Sequence, residues 1–198
     1  MRILFLSHYF PPEVNAPASR TFEHCREWVR AGHEATVLTN VPNHPAGKIY
    51  PGYRNALAQS ETVADIKVYR LLTLLAANRG VMRRSLSYFF YLVMSTLAAP
   101  FLPRVDIVIS TSPQFFCGLA GYLVSRIKRV PWVLEIRDLW PESIMAVGAI
   151  NRSLTLRWLV WLAKFAYRKA DLILCVTDSL KEVNIKTLVA AAKIEVIK

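Results

Sequence analysis

Short runs of apolar residues alternate along the chain with longer stretches that have helical periodicity. The apolar runs are rich in Ile, Leu and Val and show little alternation with polar residues. Such runs are typical of buried strands in a parallel sheet that is covered on both faces. The predicted strands are Arg2–Ser7, Glu34–Asn40, Ile66–Leu72, Asp106–Ser112, Trp132–Arg137, Leu172–Thr177 and Ile194–Lys198. This alternation of strands and helices predicts an open, doubly wound α/β sheet.

The stretches between these runs predict amphipathic helices. They are Ser19–Ala31, Gln114–Lys128, Ser153–Lys169 and Asp178–Ala190. Gly32 follows the first of them, where a glycine commonly ends a helix. In the third, Trp158, Trp161 and Phe165 recur at the spacing of core residues, so we expect this stripe to be buried.

Two segments interrupt the rhythm. Val41–Asp65 holds several prolines and polar residues and is expected to be a long loop, either a functional lid or binding loop or a disordered segment. Val81–Pro103 begins with Arg83 and Arg84 and then runs apolar from Leu86 to Leu102. That run is short of the roughly 20 residues that span a bilayer. A core or interface helix is the favoured interpretation, with an in-plane membrane helix and a true span as alternatives.

Composition narrows the choice of partner. Of 198 residues, 25 are Lys or Arg and 14 are Asp or Glu, which gives a net charge of +11, and 54% are hydrophobic. The high apolar content excludes a disordered chain. The positive charge favours an anionic partner such as nucleic acid, acidic lipid or a phosphate-bearing substrate. Because the mean hydropathy is +0.28, we expect a membrane surface rather than nucleic acid.

The cysteines and the N-terminus indicate the compartment. Cys25, Cys117 and Cys175 are far apart and lack the spacing of metal ligands, so we interpret them as reduced structural thiols. The first apolar run is too short for a signal peptide and ends in polar residues and prolines. We therefore expect a cytoplasmic protein.

Polar side chains gather where the predicted strands end, which is where doubly wound sheets bind their ligands. The four segments are His8–Pro17, Thr111–Gln114, Asp138–Ser143 and Thr177–Ser179. No dinucleotide fingerprint, P-loop or G-x-S-x-G elbow occurs in the sequence. The helix start near Asn15 could hold a phosphate on its free N–H groups, or it could be a capped helix with no ligand.

Six blocks, in order, resemble one family along essentially the whole chain. They are ILFLSHYFPPEVNAPASR, WVRAGHEATVLTN, VPNHPAGKIYPGY, STSPQFFCGLAG, LEIRDLWPES and ADLILCVTDS. The chain resembles the N-terminal half of a family-4 retaining glycosyltransferase with the GT-B fold. It is similar in style to bacterial O-antigen and capsule transferases of the N-acetyl-fucosaminyl type. The resemblance implies a Rossmann-like acceptor-binding domain over residues 1–198, followed in relatives by a nucleotide-sugar-binding domain that is absent from this chain. We therefore expect a truncated chain that transfers no sugar alone.

The resemblance also implies roles for particular residues. Many relatives carry His-Asp at the end of the fifth strand, where this chain has Arg137 and Asp138, so Asp138 is the expected catalytic group and Arg137 a cationic substitute. The expected substrate-binding residues lie in the loops that follow the strands: His8, Asn15, Ala16, Arg20, His44, Ser112, Gln114, Glu142, Asp178 and Ser179. The expected partners are a nucleotide-sugar donor, a lipid-linked glycan acceptor and the inner membrane surface, with no nucleic acid, no cofactor and no metal.

Four of these residues have a structural alternative. His8 could be a turn residue, His44 a solvated loop residue, and Asp138 the N-cap of the next helix. Glu142 could be a first-turn carboxylate of that helix. At the level of the whole chain, the alternative is a non-catalytic basic module that binds anionic lipid or nucleic acid. The absence of a recognisable nucleic-acid motif disfavours that alternative.

Overall fold

The fold is an eight-stranded sheet with helices on both faces, seen in a computed structural model that describes residues 1–75, 81–112, 115–138, 154–180, 182 and 193–197. The strands are β1 (Arg2–Leu6), β2 (Glu34–Asn40), β3 (Ala58–Val63), β4 (Ile66–Leu71), β5 (Ile107–Thr111), β6 (Trp132–Ile136), β7 (Leu172–Cys175) and β8 (Ile194–Val196). The helices are α1 (Ala16–Arg30), α2 (Val81–Ala98), α3 (Phe115–Lys128), α4 (Leu154–Lys169) and a short α5 (Asp178–Leu180).

The sheet has the doubly wound topology that the sequence predicts. Its strand order is β3-β4-β2-β1-β5-β6-β7-β8. All neighbouring strands are parallel except the antiparallel pair β3 and β4. Strands β2, β4 and β3 lie on one side of β1. Strands β5 to β8 follow one another in order on the other side. The point where the strand order reverses therefore lies between β1 and β5. In doubly wound sheets, ligands bind beyond the carboxyl ends of the strands at such a point.

Alternate residues of each strand enter two different cores, as expected for a sheet covered on both faces. On one face Ile3 and Phe5 pack with Cys25 of α1. On the other face Leu4 and Leu6 join the core beneath α2, α3 and α4. Both cores are built from fully or nearly fully buried side chains. The sheet is therefore a rigid platform for the loops at its carboxyl edge.

The prediction of one long loop over Val41–Asp65 was wrong in its last part, which forms β3. This strand lies at the edge of the sheet, and its residues alternate between exposed and half-buried. An edge strand of this kind has no need of apolar residues, so it lacks the hydrophobic signal of the other strands. Ala64 and Asp65 connect it to β4 with φ angles of 50° and 62°. Positive φ at both positions is the geometry of a tight two-residue hairpin turn.

Helix α1 begins three residues earlier than predicted because Asn15 caps it. The Oδ1 atom of Asn15 accepts the amide of Ala18 at 2.9 Å, and Pro17 is tolerated in the first turn. At the other end, Gly32 has a φ of 81° and its amide bonds to Val29, while His33 bonds to Trp28. This pair of bonds is a Schellman motif, so the expected glycine stop is confirmed.

Helices α2 and α4 each bury one side and expose the other. Tyr91 and Met94 of α2 are buried, and no helix among the described residues is long and apolar enough to cross a membrane. The expectation that the tryptophans of α4 are core residues was wrong. Trp158 is 64% exposed and Trp161 is 57% exposed. The small side chains of α4, at Ala163 among others, face the sheet instead and let the helix pack closely.

Candidate functional site

The predicted site residues lie along the carboxyl edge of the sheet, on both sides of the reversal between β1 and β5. The segments after β1 and β2 carry the first group, around His8 and His44, and the segments after β5 and β6 carry the second group, around Ser112, Arg137 and Asp138. Neighbouring strands are about 4.8 Å apart, so the ends of β1 and β6 are separated by about 10 Å.

His8 follows β1 and is buried, with 4% of its surface exposed. The Nδ2 atom of Asn40, at the end of β2, lies 2.9 Å from its Nδ1 atom. Tyr88 and Tyr91 of α2 place their rings edge-on against the imidazole at centroid distances of 4.6 and 5.3 Å. Burial, helped by the charge of nearby His44, lowers the pKa of His8 to about 3. The imidazole is therefore neutral at physiological pH.

His44 approaches from the loop after β2 and completes a small pocket with His8. Its ring lies 5.1 Å from that of Tyr9, and burial together with the charge of Arg84 lowers its pKa. The pocket is lined by His8, Tyr9, Asn43, His44, Arg84, Ser87 and Tyr88. It combines neutral hydrogen-bonding groups, aromatic rings and one guanidinium.

Two buried side chains, Glu13 and Arg70, bond to the segments that form or support this pocket. The Oε1 atom of Glu13 accepts the backbone amides of Asn43 and His44, both at 2.9 Å. Burial raises the pKa of Glu13, and its Oε2 atom has no partner among the described residues. Arg70 of β4 is fully buried and donates to Glu61 of β3 at 2.5 Å.

The guanidinium of Arg70 also fixes the loop after β1. It donates to the backbone oxygens of Pro11 and Asn40, the latter at 3.2 Å, and it lies over the ring of Tyr53. The segment after β1, the end of β2 and the β3–β4 hairpin are thus joined through one side chain. Neither Glu13 nor Arg70 was predicted, because their partners lie far away in the sequence.

The start of α1 carries three predicted site residues. Asn15 is its N-cap, so the amide of Ala18 is already occupied, and Pro17 has no amide to offer. The Nδ2 atom of Asn15 is buried and has no partner among the described residues. Ala16 is exposed. Arg20, one turn further along, donates to the buried Glu135 of β6 at 2.6 Å.

The ends of β5 and β6 are joined by a hydrogen bond between two predicted site residues. The Oγ atom of Ser112 accepts the backbone amide of Arg137 at 3.0 Å. Ser112 is itself fixed by its amide, which bonds to the oxygen of Glu135. Asp138 follows and is exposed. The structure therefore presents the Asp138 carboxylate to solvent from an anchored turn.

The remaining predicted residues belong to neither of these contacts. Asp178 and Ser179 are exposed at the start of α5, after β7. Gln114 and Glu142 lie outside the described residues. Within the described ranges, His, Cys, Asp and Glu side chains form no cluster of three that could hold a metal ion. The structure thus brings His8 and His44 together in one pocket and places Ser112, Arg137 and Asp138 in a second group.

Several contributors to the first group were missed. Among them, Asn40, Asn43, Arg84 and Tyr88 border His8 or His44. Asn40 ends a predicted strand, so its position at the carboxyl edge could have marked it as a site residue. Tyr88 lies within an apolar helix, where periodicity alone does not distinguish a core residue from a pocket residue.

A family model described as a glycosyl transferase 4-like domain matches residues 15–198 of this chain. The chain belongs to that family. A search of the curated proteins returned no significant match. The match begins after His8 and Tyr9 and includes the other described candidate site residues, from Asn15 to Ser179. The second group and the His44 part of the first group therefore fall within the glycosyl transferase 4-like domain.

Solved structures confirm the fold of this glycosyl transferase 4-like domain. A sucrose-phosphate synthase from Thermosynechococcus elongatus superposes with a TM-score of 0.69 at 12% identity, over 99% of this chain and 47% of that one. The calicheamicin glycosyltransferase CalG4 superposes with a TM-score of 0.52 at 13% identity, over 96% of this chain and 51% of that one. The chain thus spans about half the length of both glycosyltransferases. The expected Rossmann-like, mostly parallel sheet of a GT-B half is confirmed.

Proposed function

We propose that this chain is the acceptor-binding domain of a retaining glycosyltransferase that moves a sugar from a nucleotide-sugar to a lipid-linked glycan. The observation that carries the proposal is the pair of polar groups on either side of the β1–β5 reversal, in a chain of the glycosyl transferase 4-like family. We place the enzyme in surface-polysaccharide synthesis, of the O-antigen N-acetyl-fucosaminyl type that the sequence resembles. It works in the cytoplasm, peripheral to the inner face of the membrane.

The first group is proposed to hold the acceptor sugar. Neutral imidazoles can each donate one hydrogen bond and accept another, which suits sugar hydroxyls. The lowered pKa values of His8 and His44 keep both rings in that state. The rings of Tyr9 and Tyr88 supply apolar surface for the face of a sugar, while Arg84 supplies a positive charge for an attached phosphate.

The second group is proposed to carry the chemistry. Asp138 is exposed at the end of β6, where its carboxylate can orient the acceptor hydroxyl or take its proton. Arg137 lies beside it on a backbone fixed by Ser112, and a guanidinium there can stabilise the charge that develops on the diphosphate leaving group. Because the two residues come from one anchored turn, they are positioned together.

The donor is proposed to lie across the start of α1, against a second domain outside these 198 residues. A helix N-terminus favours negative charge, and the unpartnered Nδ2 atom of Asn15 is a further donor at the same turn. Asp178 and Ser179 border the same edge after β7. The coverage of about half of two glycosyltransferase chains supports a division of donor and acceptor between two domains.

The test is transfer of labelled sugar from a panel of nucleotide-sugars to a polyprenyl-diphosphate glycan. The chain is assayed alone and as part of a polypeptide that carries a donor-binding domain at its C-terminus. We expect turnover only in the longer polypeptide, with retention of anomeric configuration in the product. Transfer by the chain alone would contradict the division into two domains, and an inverted product would contradict the retaining mechanism.

A further inference from the structure

Three helices lie side by side on the face of the sheet opposite α1. The rings of Phe89 on α2 and Phe116 on α3 meet at a centroid distance of 5.6 Å. The rings of Tyr122 on α3 and Phe165 on α4 meet at 5.2 Å. The outer sides of α2, α3 and α4 therefore form one continuous surface, which we call the three-helix face.

The three-helix face exposes large apolar side chains. On α2 and the turn that follows it, these are Met82, Leu86, Phe89, Leu97 and Phe101, with exposed fractions from 47% to 88%. Met82, Leu86 and Phe89 follow one another at three or four residues and Leu97 comes about two turns later, so the α2 members form a stripe opposite buried Tyr91. On α4, Trp158 and Trp161 place their rings 5.5 Å apart in the same outward direction. A surface of this kind marks an interaction site.

The described helices of the same face carry positive charge and no acidic residue. The described sequences of α2, α3 and α4 contain two, two and four Lys or Arg residues respectively, and no Asp or Glu. On α4 the exposed members are Arg157, Lys164, Arg168 and Lys169. Helix α1, on the opposite face, instead pairs Glu23 with Arg26 and Glu27 with Arg30. The described α2, α3 and α4 thus carry a net charge of +8, whereas α1 carries +1.

We propose that the three-helix face docks on an anionic lipid bilayer, with the indoles of Trp158 and Trp161 at the lipid headgroups. Tryptophan is favoured at that depth, and Lys or Arg beside apolar residues is the composition of surface-bound membrane helices. A second copy of the chain fits less well, because two acid-free faces would repel each other. The inference rests on the proposed function for its biological setting, and it assigns the membrane contact to α4 as well as to α2.

The first measurement is co-sedimentation of the chain with vesicles of phosphatidylcholine alone and of phosphatidylcholine mixed with phosphatidylglycerol. We expect binding only to the mixed vesicles. The triple variant Arg157→Gln/Lys164→Gln/Arg168→Gln should bind roughly 100-fold more weakly, since each charge near an acidic surface contributes about fivefold. The matched control, Arg26→Gln/Arg30→Gln/Lys67→Gln, removes the same charge away from this face and should bind like the parent chain.

The second measurement uses tryptophan fluorescence with brominated lipids. Bromine quenches only indoles that reach the lipid, so we expect quenching in the parent chain and its loss in Trp158→Phe/Trp161→Phe. The phenylalanine variant keeps an apolar surface, and circular dichroism can verify its fold. Trp140→Phe is introduced into both proteins, so that Trp28 and Trp132 are the tryptophans that remain in the variant. They serve as an internal reference for the unquenched signal, because Trp132 contacts one core of the sheet and Trp28 the other.

Several outcomes would overturn the inference. These are equal binding to neutral vesicles, an equal loss in the matched control, or quenching that persists without Trp158 and Trp161. Dimerisation in solution with no vesicle binding would assign the face to a second copy instead. The assays need neither donor nor acceptor. Failed sugar transfer with intact vesicle binding would therefore count against the proposed function only, and the reverse result against this inference only.

Discussion

The two ends of the carboxyl edge are built on different principles. At the end of β1 and β2, the charged and polar groups are buried and bonded to one another, as in the contacts of Glu13, Arg70 and His8. At the end of β6 and β7, Asp138 and Asp178 are exposed. A buried polar network is sensitive to the loss of any member, whereas an exposed carboxylate is not. Mutations at the first end should therefore lower stability in addition to any effect on acceptor binding, whereas mutations at the second end should affect activity alone.

The sharpest test of this contrast is Asp138→Asn in the active two-domain polypeptide. If the carboxylate positions the acceptor hydroxyl or accepts its proton, kcat should fall by about 100- to 10,000-fold while the free energy of unfolding stays unchanged. Asp65→Asn, at the exposed turn between β3 and β4, is the matched control and should keep full activity.

If Asp138 is only a helix cap, the pattern is reversed. Asn and Asp cap about equally well, so Asp138→Asn would be active and stable. Asp138→Ala would then lose about 1 kcal/mol of stability. Full activity in Asp138→Asn removes Asp138 from the catalytic group.

At the other end of the edge, Arg70→Met should lower the free energy of unfolding by about 3–5 kcal/mol, because it leaves the partners of a buried charge unpaired. Those partners are Glu61 and the backbone oxygens of Pro11 and Asn40. Urea denaturation followed by circular dichroism measures the change. Lys67→Met, on the same strand but exposed, should change stability by less than about 0.5 kcal/mol. Equal effects of the two substitutions would show that Arg70 is not a structural connection.

The pH dependence of stability isolates His8. Its pKa is about 3 in the folded chain and about 6.5 when unfolded, so below pH 6.5 the unfolded state binds the proton and the folded state does not. The contribution of His8 to the free energy of unfolding is therefore present at neutral pH and is lost as the pH falls. Between pH 7 and pH 5 the loss is about 2 kcal/mol.

His8→Gln should remove that part of the pH dependence and keep a hydrogen-bond acceptor for Asn40. His33→Gln, at the opposite edge of the sheet, serves as the control. Identical pH profiles for His8→Gln and the parent chain would mean that His8 is accessible to protons in the folded state.

The smallest loss of stability is expected at Asn15. This residue combines a structural role, as the cap of α1, with a proposed role in binding the donor. Asn15→Ala should lose about 1 kcal/mol because the cap of α1 is removed, whereas Asn15→Asp should retain it. Both variants lose the Nδ2 donor, so both should raise KM for the nucleotide-sugar in the two-domain polypeptide. A normal KM in Asn15→Asp would leave Asn15 with a capping role alone.

The sequence was sufficient to predict most of the fold, because buried parallel strands have an apolar signature that needs no partner to be recognised. It was insufficient for β3, whose polar residues Gln59 to Thr62 carry no such signature. Periodicity placed Trp158 and Trp161 on one stripe of α4 correctly. It did not show which stripe faces the sheet, since small residues on the other side also pack well.

For the candidate site, strand ends could be predicted and long-range partners could not. His8 and Asp138 were predicted because each follows an apolar strand. Arg70 lies within a strand, and it meets Pro11 only because β4, β2 and β1 lie side by side in the sheet. Such contacts depend on strand order, which the sequence pattern does not determine.

Helices α2, α3 and α4 all begin at the carboxyl edge, because each precedes a strand parallel to the others. A bilayer against their outer sides would lie parallel to the sheet, so the carboxyl edge of the sheet would open sideways along the lipid surface. A lipid-bound acceptor could then reach His8 and Asp138 by lateral diffusion without leaving its leaflet. Its turnover would follow the number of acceptors per unit area, and diluting the vesicles at fixed lipid composition would leave the rate for each bound enzyme unchanged.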